Sequence, residues 1–365
     1  MFIINDLAYR ITAPPVGPAD KPGPTNTGAN SSRVNGGVAV SLTSVGTQTS
    51  TAPGQVFENL DITGYIDINH PNCVVRNCKI NAGVWPNMLD SFSGPINVAY
   101  SSFGVADGLT VSNCDIIGGH TLAVRNCKFD GCNIYWQDSD PINDYGGNRF
   151  EDCFIHHGGI NNVDDIHCDG IVLKSVVANT DYLHDGSLWA NLYINTVFHN
   201  PHRGCSPNTG VDNFAHFEDG KDFVYGLYDS PTGSFAADAG LFTESPTAGH
   251  AFHDVFFDGC YFEWGNRQIR LNLPLFDQTM DNFRMRNCGV SHDTRFVLGH
   301  EGSSNNGTWT NVQCEGMYWL DEGNAFQSWG SGTSPSTNPF TVDGANGVSI
   351  AGHAAGNLCN TAPLD

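Results

Sequence analysis

Short runs of strict alternation between apolar and polar residues recur along the chain. In CVVRNCKI (73–80), Cys73 and Val75 point one way and Val74 and Arg76 the other. Asn77 interrupts, then Cys78 and Ile80 resume the apolar face with Lys79 opposite. LTVSNCDI (109–116) does the same: Leu109, Val111, Cys114 and Ile116 face one side, and Thr110, Ser112 and Asp115 face the other. Period-two alternation predicts half-buried strands. An Asn, Asp or Gly at the break is the residue type that tolerates a left-handed bend. Further copies are LAVRNCKF (122–129), RFEDCFI (149–155), VFFDGCYF (255–262) and FRMRNCGV (283–290). VFENLDI (56–62) is a variant with Leu60 in the Cys place, and looser copies surround Asn195 and Cys314.

Uninterrupted copies recur at roughly 20 to 30 residues, the length of one β-solenoid coil, which buries its apolar face only by stacking on its neighbours. The expected fold is all-β: a right-handed parallel β-helix with an irregular N-terminal leader and a C-terminal tail. The repeated cysteines, among twelve in the chain, then read as an interior column of free thiols, with disulfides or metal ligands as the alternative, because unpaired Cys is among the most buried residue types. The repeated asparagines read as a ladder of turns. No CxxC pair occurs, so the spacing of a structural zinc site is missing.

Composition narrows the function classes. Only 15% of residues are charged while Gly reaches 42, which suits turn-rich β-structure and argues against a helical bundle. A net charge of −22, with basic residues scattered singly, excludes a phosphate-binding nucleic-acid surface. It suits neutral sugars, solubility outside a cell, or bound Ca²⁺. The opening MFIINDLAYR has Asp6 where a secretory signal needs its apolar core, and no run is long enough to span a bilayer, so no membrane insertion is expected.

Three segments follow from these patterns. Residues 1–50, rich in Pro, Gly, Ser and Thr, read as an extended leader or attachment segment. Residues 51–330 read as the helix, with a Gly- and Asp-rich insertion at 199–250, and 331–365 as a tail or cap. An insertion of that length is usually functional or lies at an interface.

PGPTNTG (22–28), followed by GQVFENLDITGYIDINHPNCVVRNCKI (54–80), resembles the opening of pectin-lyase-like parallel β-helix proteins of actinobacteria and their phages. DIHCDGIVL (165–173) is similar to the His-x-Asp-Gly-Ile-Gln element of such proteins, with Val172 in place of Gln. The resemblance covers residues 22–200, and the coils at 252–317 by repeat alone. It implies a minor tail or tail-spike protein of a phage virion, made in the host cytoplasm. Its partners would be other tail proteins and a host cell-surface glycan, and its assembly a homotrimer. An extracellular location is the alternative.

The densest polar stretch lies between Asp138 and Asp185. Coils stack, so residues one coil apart become neighbours, and Asp165, His167, Asp169 and Lys174 are the candidate catalytic set. A lyase would use the aspartates, with Ca²⁺, to neutralise a uronate and Lys174 or His167 to take the proton; a hydrolase would use two carboxylates. Asp138, Asp140 and Asp144 are candidate Ca²⁺ ligands, without EF-hand spacing, and no other cofactor is implied. Against these, Asp169-Gly170 and Asp185-Gly186 are ordinary turn formers, and His156 and His157 suit turn hydrogen bonds. The polygalacturonase order fails: Asp164-Asp165 precedes Asn179-Thr180-Asp181, and neither GHG nor RxK follows. Trp189, Tyr193, Phe256 and Tyr261 are candidate glycan-stacking residues, Phe256 and Tyr261 having the outward parity. Three functions stay open: a glycan-recognising tail protein, with or without cleavage; a free polysaccharide lyase or glycoside hydrolase; and a structural virion component without ligand.

Overall fold

The computed structural model describes residues 21–29, 31, 40–83, 94–98, 107–137, 139–158, 169–174, 182–200, 239–243, 252–264, 267–271, 279–291, 296–299, 308–310, 313–315, 318–320, 326–328, 340–343 and 347–350. Among these residues there is no helix, and three long sheets of stacked strands make a right-handed parallel β-helix, the hand that parallel crossovers take almost without exception. One coil runs from Val74–Arg76 in sheet III, through Asn77, to Lys79–Asn81 in sheet I. It continues through Ile96–Val98 on the third side to Thr110–Ser112, which pairs in parallel with Val74–Arg76. From Leu122–Val124 onward the third side is sheet II.

The corner from sheet III to sheet I explains the repeat. Asn59, Asn77, Asn113, Asp152, Asn195 and Asn287 occupy it with φ between 43° and 57°, and Gly131 and Gly259 take the same place. A single left-handed residue turns the chain, and its N–H donates to a carbonyl of the next coil: Asn77 to Ser112 (3.0 Å), Asn113 to Asp130 (2.8 Å), Gly131 to Glu151 (2.9 Å). Asn and Asp carry that backbone at lower cost than other side chains.

The residue after the corner points inward, giving the column Leu60, Cys78, Cys114, Cys132, Cys153, Thr196, Cys260, Cys288. Its cysteines are free and buried. Each thiol reaches a carbonyl two residues earlier, as Cys78 does to Arg76 (3.2 Å) and Cys153 to Glu151 (3.3 Å). Thr196 makes the same contact to Ile194 with its hydroxyl (3.1 Å). LAVRNCKF belongs to a different corner: Leu122–Val124 lies in sheet II, and Cys127 immediately precedes the sheet III strand Lys128–Asp130, on the same interior line as Cys73. Burial pushes the Cys127 thiol up to about 12 and holds Cys114, Cys153 and Cys288 well above the usual thiol range. The expected result of maleimide labelling is that these eight thiols stay unreacted in native protein and react after unfolding. Labelling of Cys132 or Cys153 without denaturant would contradict the interior column.

Parallel to the thiols runs a column of larger side chains: Phe57, Val75, Val111, Phe129, Phe150, Tyr193, Phe257, Met285. Four rings stack nearly parallel: Phe129 on Phe150 at 4.8 Å, Phe150 on Tyr193 at 5.5 Å, Tyr193 on Phe257 at 4.3 Å. The strand spacing of a sheet, roughly 4.8 Å, is close to the stacking distance of aromatic rings, so one side-chain type repeated per coil packs without voids.

The segment boundaries differ from the sequence pattern at both ends. Thr43–Val45 and Gln48–Thr49, within the leader, already pair in parallel with Leu60–Thr63 and Ile66–Ile68. Ala239–Thr243, within the 199–250 insertion, is a strand of sheet II paired with Ile171–Leu173. Phe340–Asp343 and Gly347–Ile350, within the tail, form an antiparallel pair on the last strand of that sheet. No helix among the described residues is long and apolar enough to cross a membrane.

Residues 21–29 lie against the outer face of sheet I. The side chain of Asn26 accepts from Gly23 N (2.6 Å) and donates to Lys21 O (2.9 Å), folding PGPTNTG into a compact turn. Gly28 N donates to Gly131 O (2.8 Å) and Ala29 N to the Asp115 carboxylate (3.1 Å). A β-carbon on Gly28, at φ +86°, would sit 2.4 Å from Asp115 Oδ1, so this close approach requires glycine. At the other end Lys21 forms an ion pair with Glu263, which also accepts from His199 Nδ1 (3.0 Å). Burial alone would raise the Glu263 carboxyl, but the Lys21 charge and the His199 hydrogen bond outweigh it and hold it far below the usual range.

Candidate functional site

Of the expected catalytic set, the structure describes Asp169 and Lys174. Asp165 and His167 lie outside the described residues. Asp169 and Lys174 stand at opposite ends of the strand Ile171–Leu173, and Asp169 is buried with its N–H donating to Asp140 Oδ1 (2.8 Å).

The expected Ca²⁺ ligands are Asp138, Asp140 and Asp144. Asp138 lies outside the described residues, Asp140 serves Asp169, and Asp144 points into the helix. Asp144 stacks between Val124 and Leu173 on an interior line, two residues from the inward Ile142. Its carboxylate accepts from Gly146 N (2.7 Å), Asn148 Nδ2 (2.7 Å) and the Tyr193 hydroxyl. Asn148 N in turn donates to Asn191 Oδ1 (3.2 Å), completing a polar island inside an apolar core. Burial pushes the Asp144 carboxyl up to about 6, against the pull of those hydrogen bonds. Among the described residues no group of three or more His, Cys, Asp or Glu is placed to hold a metal ion.

The four stacking candidates are buried and offer no open ring. Tyr193 belongs to the interior column. Phe256 does leave the coil outward, as its parity requires, yet its exposure is 0% because a hairpin folds over it. Trp189 is part of that cover, its ring 4.6 Å from Phe256. Tyr261 also points outward, and it is covered where Phe154 and Val197 lie beside it and Lys21 Nζ stands 5.3 Å from its ring. Nor is His156 a free ligand: it bonds Asn133 Oδ1 through Nε2 (2.9 Å) and lies against His157.

The hairpin makes the best-defined polar ledge on the outer wall. Tyr182–His184 and Ser187–Trp189 pair antiparallel through Asp185-Gly186, whose φ of 52° and 77° fit the tight turn that Asp-Gly favours. Tyr182, His184 and Trp189 face the wall, with the Tyr182 hydroxyl bonded to Gly147 O (2.7 Å), while Leu183 and Leu188 face solvent. The tip meets two arginines of the strand Thr279–Arg286. Arg286 donates to Asp258 Oδ1 from Nε (3.1 Å) and to Asp185 Oδ2 from Nη1 (2.5 Å); Arg284 Nη1 lies 3.5 Å from the same Asp185 oxygen. His184 Nε2 is 2.8 Å from Asp258 Oδ2. Both guanidinium groups lie over Phe256, at 5.2 and 5.1 Å. Burial would raise the Asp258 carboxyl, but the hydrogen bonds from His184 and Arg286 and the guanidinium charge hold it below the usual range. The cluster is therefore hydrogen-bonded throughout, partly exposed, and composed of donors and acceptors side by side above the Phe256 ring.

The residues of this ledge were only partly visible in the sequence. His184 and Asp185 stood out in LHDG, whereas Arg284 and Arg286 carried one weak signal: they occupy outward positions of FRMRNC, at the parity of Arg76.

No family model matches the chain, and no curated protein matches it. Among solved structures it is similar to the A-module of mannuronan C-5 epimerase AlgE4 from Azotobacter vinelandii, at 9% identity over 76% of this chain and 86% of that one, with a TM-score of 0.30. It is also similar to PfbA, a surface adhesin of Streptococcus pneumoniae, at 10% identity over 85% of this chain and 70% of that one, with a TM-score of 0.22.

Proposed function

We propose that this chain is a glycan-binding β-helix of a phage tail, which holds a host envelope polysaccharide along the outer wall of sheet III and does not depend on cleaving it. The observation that carries the binding reading is the ledge: a fixed Arg-Asp-His cluster on an aromatic floor, set in a straight wall. That wall stacks strands from Val56–Glu58 to Gln313–Glu315, a length of roughly 40 Å at sheet spacing. A long repetitive polymer can meet such a wall at several places and gain avidity from modest contacts. The leader motif and coil pattern support the placement in a virion tail, and with it a trimer.

The test is retention of the full chain on immobilised actinobacterial envelope polysaccharide, with product size followed in parallel. The expected result is retention without shortening. Retention should weaken at least tenfold in Arg284→Ala and in Asp185→Asn, which keeps the turn because Asn also accepts a left-handed backbone. Ser44→Ala, exposed on the strand Thr43–Val45 of sheet I and away from that wall, should bind normally. Shortened chains would replace this reading with a lyase or hydrolase, and equal retention of all variants would remove the ledge from it. Light scattering should give a particle of three 39.3 kDa chains; a monomer would remove the trimer.

A further inference from the structure

The ledge also narrows the chemistry of its ligand, an argument that rests on the glycan-binding reading above. We infer that it takes an uncharged polysaccharide presenting neighbouring hydroxyl groups, not a polyuronate or a phosphate polymer. The first reason is charge. Of the cations along sheet III's outer face, Arg76 is paired with Glu58 (2.9 Å), Arg149 with Glu151, and Arg284 and Arg286 with Asp185 and Asp258, while Lys128 lies over the Tyr182 ring, 5.8 Å from its centre. Two guanidinium groups against two carboxylates leave the ledge near neutrality, within a chain of net charge −22. An anionic polymer would meet no local surplus of positive charge to offset the surrounding acid, whereas recognition of carboxylate or phosphate draws on such a surplus.

The second reason is hydrogen-bond type. A carboxylate or phosphodiester only accepts, but a hydroxyl both donates and accepts. The ledge offers both functions side by side: the guanidinium N–H groups of Arg284 and Arg286 donate, and the Asp185 carboxylate oxygens accept. Asp185 Oδ2 is shared by both arginines at 2.5 and 3.5 Å, so donor and acceptor edges are held at hydrogen-bond spacing from one another. A pair of adjacent ring hydroxyls satisfies such an edge, while an anion would bring its lone pairs against the Asp185 oxygens. His184 Nε2 already serves Asp258, which ties the hairpin to the wall.

The experiment uses the full chain against size-matched neutral polymers (glucan, mannan, galactan, arabinan) and anionic ones (polygalacturonate, alginate, poly(glycerol phosphate)), each in about 20 mM and about 500 mM NaCl. The inference expects binding confined to neutral members, with affinity changing less than about twofold between the two salts because few charges are neutralised. Arg284→Gln, which keeps a donor without the charge, should retain more affinity than Arg284→Ala, and native thiol protection of both variants shows that they are folded. Affinity for an anionic polymer that collapses at high salt would overturn the uncharged class and leave glycan binding standing. Failure of every polymer to bind would overturn both.

Discussion

Phe150→Ala is expected to cost about 3–5 kcal/mol of unfolding free energy, the largest single-residue loss in the described core. Phe150 is fully buried and stacked on both sides, by Phe129 at 4.8 Å and Tyr193 at 5.5 Å. Truncation removes the transfer energy of the ring and both stacking contacts. The rigid ladders above and below cannot collapse into the gap, because their spacing is set by backbone hydrogen bonds. It also leaves the Asp144–Tyr193 contact beside a void. In a solenoid each coil is stabilised mainly by its neighbours, so the defect should divide the stack at that level. Urea unfolding followed by fluorescence would measure the loss. Maleimide labelling at low urea should find Cys132 and Cys153, in the coils that carry Phe129 and Phe150, among the first thiols to open. A loss under about 1 kcal/mol would mean that the aromatic column does not hold the coils together.

Asp144→Asn is expected to act in the opposite direction. The folded carboxyl titrates at about 6, above its ordinary 3.8. Below the ordinary value both folded and unfolded chains hold the proton, and the buried group costs little. As pH rises toward 6 the unfolded chain releases its proton first, so stability falls through this window and stays lower above it. The shift corresponds to roughly 3 kcal/mol at most. The groups facing Asp144 are Tyr193, Asn148, Asn191 and the Gly146 amide, with the Tyr182 hydroxyl and Cys127 thiol close by; none carries a compensating positive charge. Asp258 and Glu263 run the other way. Their depressed values lend stability that is lost only as pH falls below the ordinary carboxylate range, so neither produces a decline between pH 4 and 6.5. The asparagine variant should therefore be more stable than the natural chain at pH 7–8 and should lose the decline between pH 4 and 6.5. Parallel stability profiles for the two proteins would refute a buried, charged Asp144.

These outcomes separate what was legible along the chain from what was not. The left-handed corner was legible because it is a local steric matter: Asn77, Asn113 and Asn287 announce it wherever they interrupt an alternating run. The inward cysteines were legible for the same reason, since parity within five residues decides which side chain faces the core. Parity also held for Phe256 and Tyr261, which do leave the coil outward. Even Asp144 carried the signal, two residues from Ile142 and so on the same face, but its place in an acidic run masked it.

Cover and register were not legible. Whether an outward Phe256 meets solvent or a hairpin depends on a segment more than sixty residues away returning to that wall. Whether Arg286 meets Asp185 depends on contacts across 101 residues. LAVRNCKF shows the limit within one coil: its local pattern is right, yet it turns a different corner, because identical local sterics serve more than one bend. Strands, the turns between them and the inward side could be read along the chain, since these depend on backbone sterics and hydrophobic parity over a few residues. Which coils are neighbours, what lies over the wall and which charges pair emerge only in the folded stack, because they are set by how excursions of unequal length close back onto a ladder whose spacing is fixed.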